Sequence, residues 1–128
     1  GLHAYGKYVG MAFQITDDLL DLTSNEKKIG KPAGNDIHEG IVTLPVIRAL
    51  EVSSEREELL SIVTNPSMTR EDVERALAIV RASDGVAYAR AKVREFLAEA
   101  KESLPAALPN EVRDTFCKAA DYIAKRES

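Results

Sequence analysis

The chain has 128 residues, one globular domain's worth, and can bury roughly two thirds of its unfolded surface. Its formal net charge of -4 and pI near 5.2 argue against nucleic-acid binding, which draws on a basic footprint. No apolar run approaches the ~18 residues of a membrane span and no signal-peptide pattern is visible, while the single cysteine, Cys117, excludes a disulfide-stapled secreted scaffold and favours a cytoplasmic setting.

The spacing predicts a first helix from about Leu2 to Leu22, with Tyr8, Ala12, Ile15, Leu19 and Leu22 on one side. Met11 and Tyr8 read as core. Between Thr23 and Asn35 the composition turns to Ser, Asn, Gly, Pro and Lys, which predicts a loop. Thr43-Leu44-Pro45 opens a second helix, since Pro is well tolerated in a first turn, and Val46 to Val52 continues it. Ser53 or Ser54 is placed to cap a short helix ending at Val63, and Thr64-Asn65-Pro66-Ser67 forms a turn. Thr69, with Asp72 three residues on, resembles a capping box, and Val73, Leu77 and Val80 line that helix. Ser83-Asp84-Gly85 breaks the chain before a long amphipathic run with Val86, Val93, Phe96, Leu97 and Leu104. Pro105 and Pro109 bracket a linker, and a last helix runs from about Asn110 to Lys125 with Val112, Phe116, Ala119, Ala120 and Ile123 inward. The pattern predicts an all-α chain of five or six helices with no sheet, a single helical region over residues 1–128. His3 and His38 lack a metal-ligand partner pattern, and Cys117 reads as a buried small hydrophobe on the last helix.

The first helix carries an unusual polar stripe. Gln14, Asp17, Asp18 and Asp21 fall within about 100° of arc, with Asp17 and Asp21 one turn apart. Ile15, Leu19 and Leu22 border it on one side, Phe13 and Leu20 on the other. One reading is a solvated helix face. The other follows from the width and single sign of the stripe, because a solvated face is broader and mixes charges. Carboxylates this close repel one another unless a cation sits between them. Oxygen-only donors suit a hard divalent ion such as Mg²⁺, which pairs a few carboxylates with waters and substrate phosphates.

The run Gly10-Met11-Ala12-Phe13-Gln14-Ile15-Thr16-Asp17-Asp18-Leu19-Leu20-Asp21 closely resembles the second aspartate-rich motif of the trans-isoprenyl diphosphate synthases, the polyprenyl synthetase family. Gly30-Lys31-Pro32, Gly34-Asn35-Asp36, Glu39-Gly40 and Thr43-Leu44-Pro45 are similar to the family's following blocks, in order and at similar spacing. Weaker similarity continues through Ser83-Asp84-Gly85 to Arg126, so the resemblance covers the whole chain. It implies the C-terminal helices of an isoprenoid-synthase-type bundle. Members of this family join an allylic diphosphate to isopentenyl diphosphate, head to tail, releasing pyrophosphate. Mg²⁺ stabilises the charge on the departing group.

Carried onto this chain, the resemblance makes Asp17 the principal Mg²⁺ ligand, with Asp18 and Asp21 completing the acidic cluster. Gln14 would sit beside the allylic substrate and Phe13 would border the homoallylic one. Lys31 would contact the allylic diphosphate as a compact point charge, whereas Lys27 and Lys28 read as solvated. Asp36 matches a family block and would act on the diphosphate site indirectly, through loop backbone or Lys31. Two departures stand against this background. Ile41 occupies a position where many members carry a diphosphate-binding Lys or Arg, and the family's first aspartate-rich motif has no counterpart here. With Gly1 in place of an initiator Met, the chain is expected to be the C-terminal portion of a synthase, inactive alone and dimeric when whole. The alternative is a separate non-catalytic or regulatory subunit that completes a heteromeric synthase with a partner polypeptide.

Overall fold

The computed structural model of the chain describes residues 1–23 and 33–126. Among these the structure has seven α-helices and no strand: α1 (Leu2–Thr23), α2 (Asn35–His38), α3 (Leu44–Val52), α4 (Arg56–Val63), α5 (Arg70–Ala82), α6 (Gly85–Glu102) and α7 (Asn110–Lys125). The all-α expectation holds. The helix beyond the expected six is the single turn α2, too short to leave a periodic signature in the sequence. The helices group into two compact units, residues 18–89 and residues 1–17 with 90–128, and α1 and α6 contribute to both.

In the unit formed by residues 18–89, α4 packs on α3 and α5, and α2 and α3 also pack on α5. Its core joins Leu22, Ile37, Val46, Leu59, Val73 and Val80, each at most 1% exposed. Local chemistry sets the boundaries. Thr69 Oγ1 accepts the Asp72 amide at 3.2 Å and the Asp72 carboxylate accepts the Thr69 amide at 3.0 Å, so the predicted capping box opens α5. Pro45 stands in the first turn of α3, as its fixed φ and missing N–H allow. The expected serine cap of α4 is not made. Ser53 Oγ instead accepts the Glu55 amide two residues on, a local turn, and α4 begins at Arg56 without a side-chain cap.

Gly34 controls the entry to α2. Its φ of 80° lies in the left-handed region, and a Cβ there would stand 2.9 Å from Val73 Cγ1 and 3.0 Å from Leu77 Cδ1. Two arginines tie neighbouring carbonyls: Arg81 Nε donates to Leu22 O at 2.9 Å, and Arg70 Nη1 donates to Ala33 O at 2.9 Å. Each thereby gives a backbone acceptor a charged donor.

The unit formed by residues 1–17 and 90–128 is built differently. One of its buried clusters joins Tyr5, Ala100 and Leu104, with Tyr8, Val9, Leu108, Phe116 and Cys117 packed half-buried around them, and Ala12, Val93, Leu97, Ala120 and Ile123 are buried in the same unit. Aromatic geometry does much of the joining. The Tyr5 and Phe116 rings meet edge to face at 4.8 Å, Tyr8 stacks on Phe96 at 6.2 Å, and Tyr5 Oη donates to Phe116 O at 2.7 Å. Burial, with Cys117 close by, pushes the Tyr5 phenol's pKa up and keeps it a donor. Two expectations need correction here. Val112 and Ala119 of α7 are exposed, because the buried seam narrows to Ala120 and Ile123 toward the C-terminal end. Met11 is also exposed, lying off the Tyr5, Ala12 and Leu19 stripe that α1 buries.

Candidate functional site

Helix α1 carries every polar residue of the acidic stripe, and its continuous backbone keeps Asp17 and Asp21 one turn apart. The buried face of α1 is set by Tyr5, Ala12, Thr16, Leu19 and Leu22. Thr16, fully buried, satisfies its hydroxyl by donating to Ala12 O at 2.9 Å, which lets a polar residue sit on that face. With that face fixed, Phe13, Gln14 and Asp17 are exposed, whereas Asp18 and Asp21 are half-buried.

The carboxylates have separate surroundings. Within the unit of residues 1–17 and 90–128, Asp17 Oδ1 faces Arg126 Nη2 at 3.2 Å, and the Arg126 guanidinium lies 4.6 Å above the centre of the Phe13 ring. Arg126 Nη1 is buried and has no acceptor among the described residues. Within the unit of residues 18–89, Asp21 is committed to backbone. Its Oδ1 accepts the Asn35 amide at 3.1 Å, its Oδ2 accepts the Asp36 amide at 3.1 Å, and its main-chain carbonyl accepts the Gly34 amide at 3.0 Å. Asp21 thus caps the first turn of α2 from a distant helix, the task that an N-cap side chain usually performs locally. Asp36, half-buried, is held in that turn, and its carbonyl accepts the Ile41 amide at 2.8 Å. Ile41 is exposed. Lys31, with Gly30, Pro32, Lys27 and Lys28, lies outside the described residues.

The structure therefore brings Asp17 together with Arg126 and Phe13, and Asp21 together with Asn35 and Asp36. It does not gather three His, Cys, Asp or Glu side chains into a ready-made cation cage among the described residues. That geometry is compatible with Mg²⁺, which keeps several waters and is held by one or two carboxylates plus ligand phosphates. The donor set fits a hard ion, since Asp17, Asp18 and Asp21 offer oxygen only. His3 and His38 are exposed, and Cys117 is half-buried against the Tyr5 cluster.

The Polyprenyl synthetase family model matches residues 1–80. The chain belongs to the polyprenyl synthetase family. It is 40% identical, over 98% of its length, to the short chain isoprenyl diphosphate synthase of Methanothermobacter thermautotrophicus, covering 39% of that protein. It is 37% identical, again over 98% of its length, to heptaprenyl diphosphate synthase component 2 of Geobacillus stearothermophilus, covering 39% of it. Among solved structures, geranylgeranyl pyrophosphate synthase from Corynebacterium glutamicum, complexed with calcium and isoprenyl diphosphate, matches 97% of this chain with a TM-score of 0.80 and 32% identity. The chain covers 38% of that structure, and it spans about a quarter to two fifths of the length of the curated relatives it matches. The helical fold of this polyprenyl synthetase chain is thus shared with prenyl synthases of known structure.

The roles of Arg126, Arg81 and Arg70 were hidden in the sequence. Arg126 and Asp17 stand near opposite ends of the chain, and only tertiary structure makes them neighbours. Arg81 and Arg70 read as ordinary polar residues of an amphipathic helix, yet each ends on a backbone carbonyl.

Proposed function

We propose that this polyprenyl synthetase chain supplies one metal- and diphosphate-binding wall of a trans-prenyltransferase. The enzyme would condense an allylic diphosphate with isopentenyl diphosphate and release pyrophosphate. One observation carries the reading: the run from Gly10 to Asp21, which resembles the family's second aspartate-rich motif, lies on one continuous helix with its carboxylates on the side away from the buried face. A relative solved with calcium and isoprenyl diphosphate supports the assignment of a cation and a diphosphate to this fold.

In this reading Asp17 and Asp18 would hold Mg²⁺, and Asp21, whose carboxylate oxygens accept backbone amides, would complete the acidic cluster through metal-bound water. When bound, the ion would supply Lewis-acid stabilisation of negative charge on the departing pyrophosphate. The chain's own residues do the rest. The Gln14 amide, one turn before Asp18, presents a dipole beside the allylic group where charge develops. The Phe13 ring contributes an apolar border that sheds water from the homoallylic substrate. Lys31 would hold diphosphate as a point charge. Asp21 fixes the Asn35–Asp36 turn.

Asp17→Ala in the full-length protein tests the assignment. Removal of a carboxylate that holds the metal is expected to slow condensation far more than tenfold. Survival of the reaction within about tenfold would refute the role of Asp17. A second reading is favoured by the name of the Geobacillus relative, a component of its synthase. There the chain would complete a heteromeric synthase with a partner polypeptide. Co-purification of a second, non-identical polypeptide with the protein, and activity only in its presence, would establish that arrangement.

A further inference from the structure

Arg126 stands one residue beyond α7, and its guanidinium meets α1 at two residues at once. Nη2 pairs with Asp17 Oδ1 at 3.2 Å, while the guanidinium carbon lies 4.6 Å from the Phe13 ring centre. All three residues belong to the same compact unit. Two features make this pair unusual. Nη1 is buried without an acceptor among the described residues, and a buried charged donor left unpaired is unfavourable. The Asp17 and Arg126 side chains are 45% and 27% exposed, so the pair is solvated enough to be weak and exchangeable. Stacking on Phe13 keeps the guanidinium parked beside the carboxylate.

A divalent cation on Asp17 and the Arg126 guanidinium compete for the same carboxylate and repel each other. We propose that Arg126 is a displaceable counter-ion for Asp17. It neutralises the carboxylate while no divalent cation is bound and gives it up when one arrives. The unsatisfied Nη1 then gains an acceptor from an oxygen of the phosphate ligand that accompanies the cation. Phe13 sets the resting position in this exchange. The inference rests on the reading of Asp17 as a metal carboxylate.

The test is binding of Mn²⁺ to the full-length protein by electron paramagnetic resonance, first with the ion alone and then with inorganic pyrophosphate. Arg126→Gln is expected to bind Mn²⁺ alone about fivefold more tightly than wild type, because no resident cation has to leave. Arg126→Lys, which keeps the charge, is expected to stay within twofold of wild type. In the Asp17→Asn background the Arg126→Gln gain is expected to vanish. With pyrophosphate present the gain is expected to disappear as well, since the variant then lacks a phosphate contact. Equal or weaker Mn²⁺ affinity in Arg126→Gln overturns the counter-ion role, and so does a fivefold gain that persists with pyrophosphate. If Asp17→Asn leaves Mn²⁺ affinity unchanged, the metal reading of Asp17 falls, and the counter-ion with it. Arg126→Met keeps the apolar contact with Phe13 and provides the same comparison should the Gln variant not fold.

Discussion

The two compact units differ in what holds them, although α1 contributes to both. Residues 18–89 close over a wide core whose members are almost wholly excluded from water, and the Leu22 and Ala33 carbonyls and the Asn35 and Asp36 amides are taken up by Arg81, Arg70 and Asp21. Residues 1–17 and 90–128 bury Ala12, Val93, Leu97 and Ala120 beside the Tyr5, Ala100 and Leu104 cluster, and add aromatic edges and ion pairs to that core. The carboxylates of α1 inherit this difference. Asp21 sits where every oxygen has a fixed backbone donor, so it acts as part of the scaffold. Asp17 sits where its partner is a long, half-exposed side chain, so it can change partners. A buried network rigidifies, and a partly solvated ion pair stays exchangeable.

The largest expected effect follows from breaking the dense unit at its tightest point. Gly34→Ala forces a left-handed φ on an L residue and drives its Cβ into Val73 and Leu77. Strain and overpacking together are expected to cost about 3 kcal/mol, read as a lower urea midpoint with unchanged slope. Gly6→Ala makes the opposite case. Gly6 lies inside α1, in the other unit, and a Cβ there meets nothing within 4 Å. Relief of glycine's backbone entropy is expected to stabilise the protein by about 0.5–1 kcal/mol. Opposite signs at the two glycines sharpen the contrast. Destabilisation at Gly6 would remove it.

The carboxylates give the next effect. Asp21→Ala strips two donors of their acceptor and is expected to cost about 1–2 kcal/mol in denaturant titration. Asp17→Ala loses one partly exposed ion pair and is expected to cost less than about 1 kcal/mol, while activity falls steeply. Equal stability losses at both positions would mean that Asp17 is as structural as Asp21. Amide exchange separates them further, because opening of the Asn35 and Asp36 amides is expected only in the Asp21 variant.

Much of this was legible in the sequence where the cause is local. The capping box at Thr69, Pro45 in the first turn of α3, the break at Ser83-Asp84 and the span of α7 all depend on residues a few positions apart. The motif on α1 was legible because its residues sit at helical spacing. What stayed hidden depends on the fold. The turn α2 exists because Gly34 fits against Val73 and because Asp21 reaches it from another helix, and neither cause has a local signature. Periodicity marked Val112 as inward, but whether a stripe position is covered depends on what packs opposite it, and Val112 remains 40% exposed. Lys31, which the family resemblance brings to the diphosphate, lies outside the described residues.

The smallest expected effect is on acid stability and concerns the rim of the dense unit. Arg48 grips Asp84 through two hydrogen bonds at 3.0 Å, and Arg75 holds Glu58 at 2.7 and 2.9 Å. In each case the hydrogen bond from the arginine holds the carboxyl below the usual carboxylate range. A carboxyl with a lowered pKa in the folded state binds protons more readily when unfolded. Its stabilisation is therefore present above the unfolded value and is lost as pH falls through the folded one. The urea midpoint is accordingly expected to drop below about pH 4.5, the ordinary range of these groups. Glu58→Gln combined with Asp84→Asn is expected to flatten that drop slightly, and 0.5 M salt to flatten it in the wild type, because both pairs are at the surface. An unchanged acid slope in the double variant would move the acid sensitivity away from this rim. Since both pairs lie within residues 18–89, the rigidity of that unit would then owe nothing to its surface charges and rest on its core and backbone ties alone.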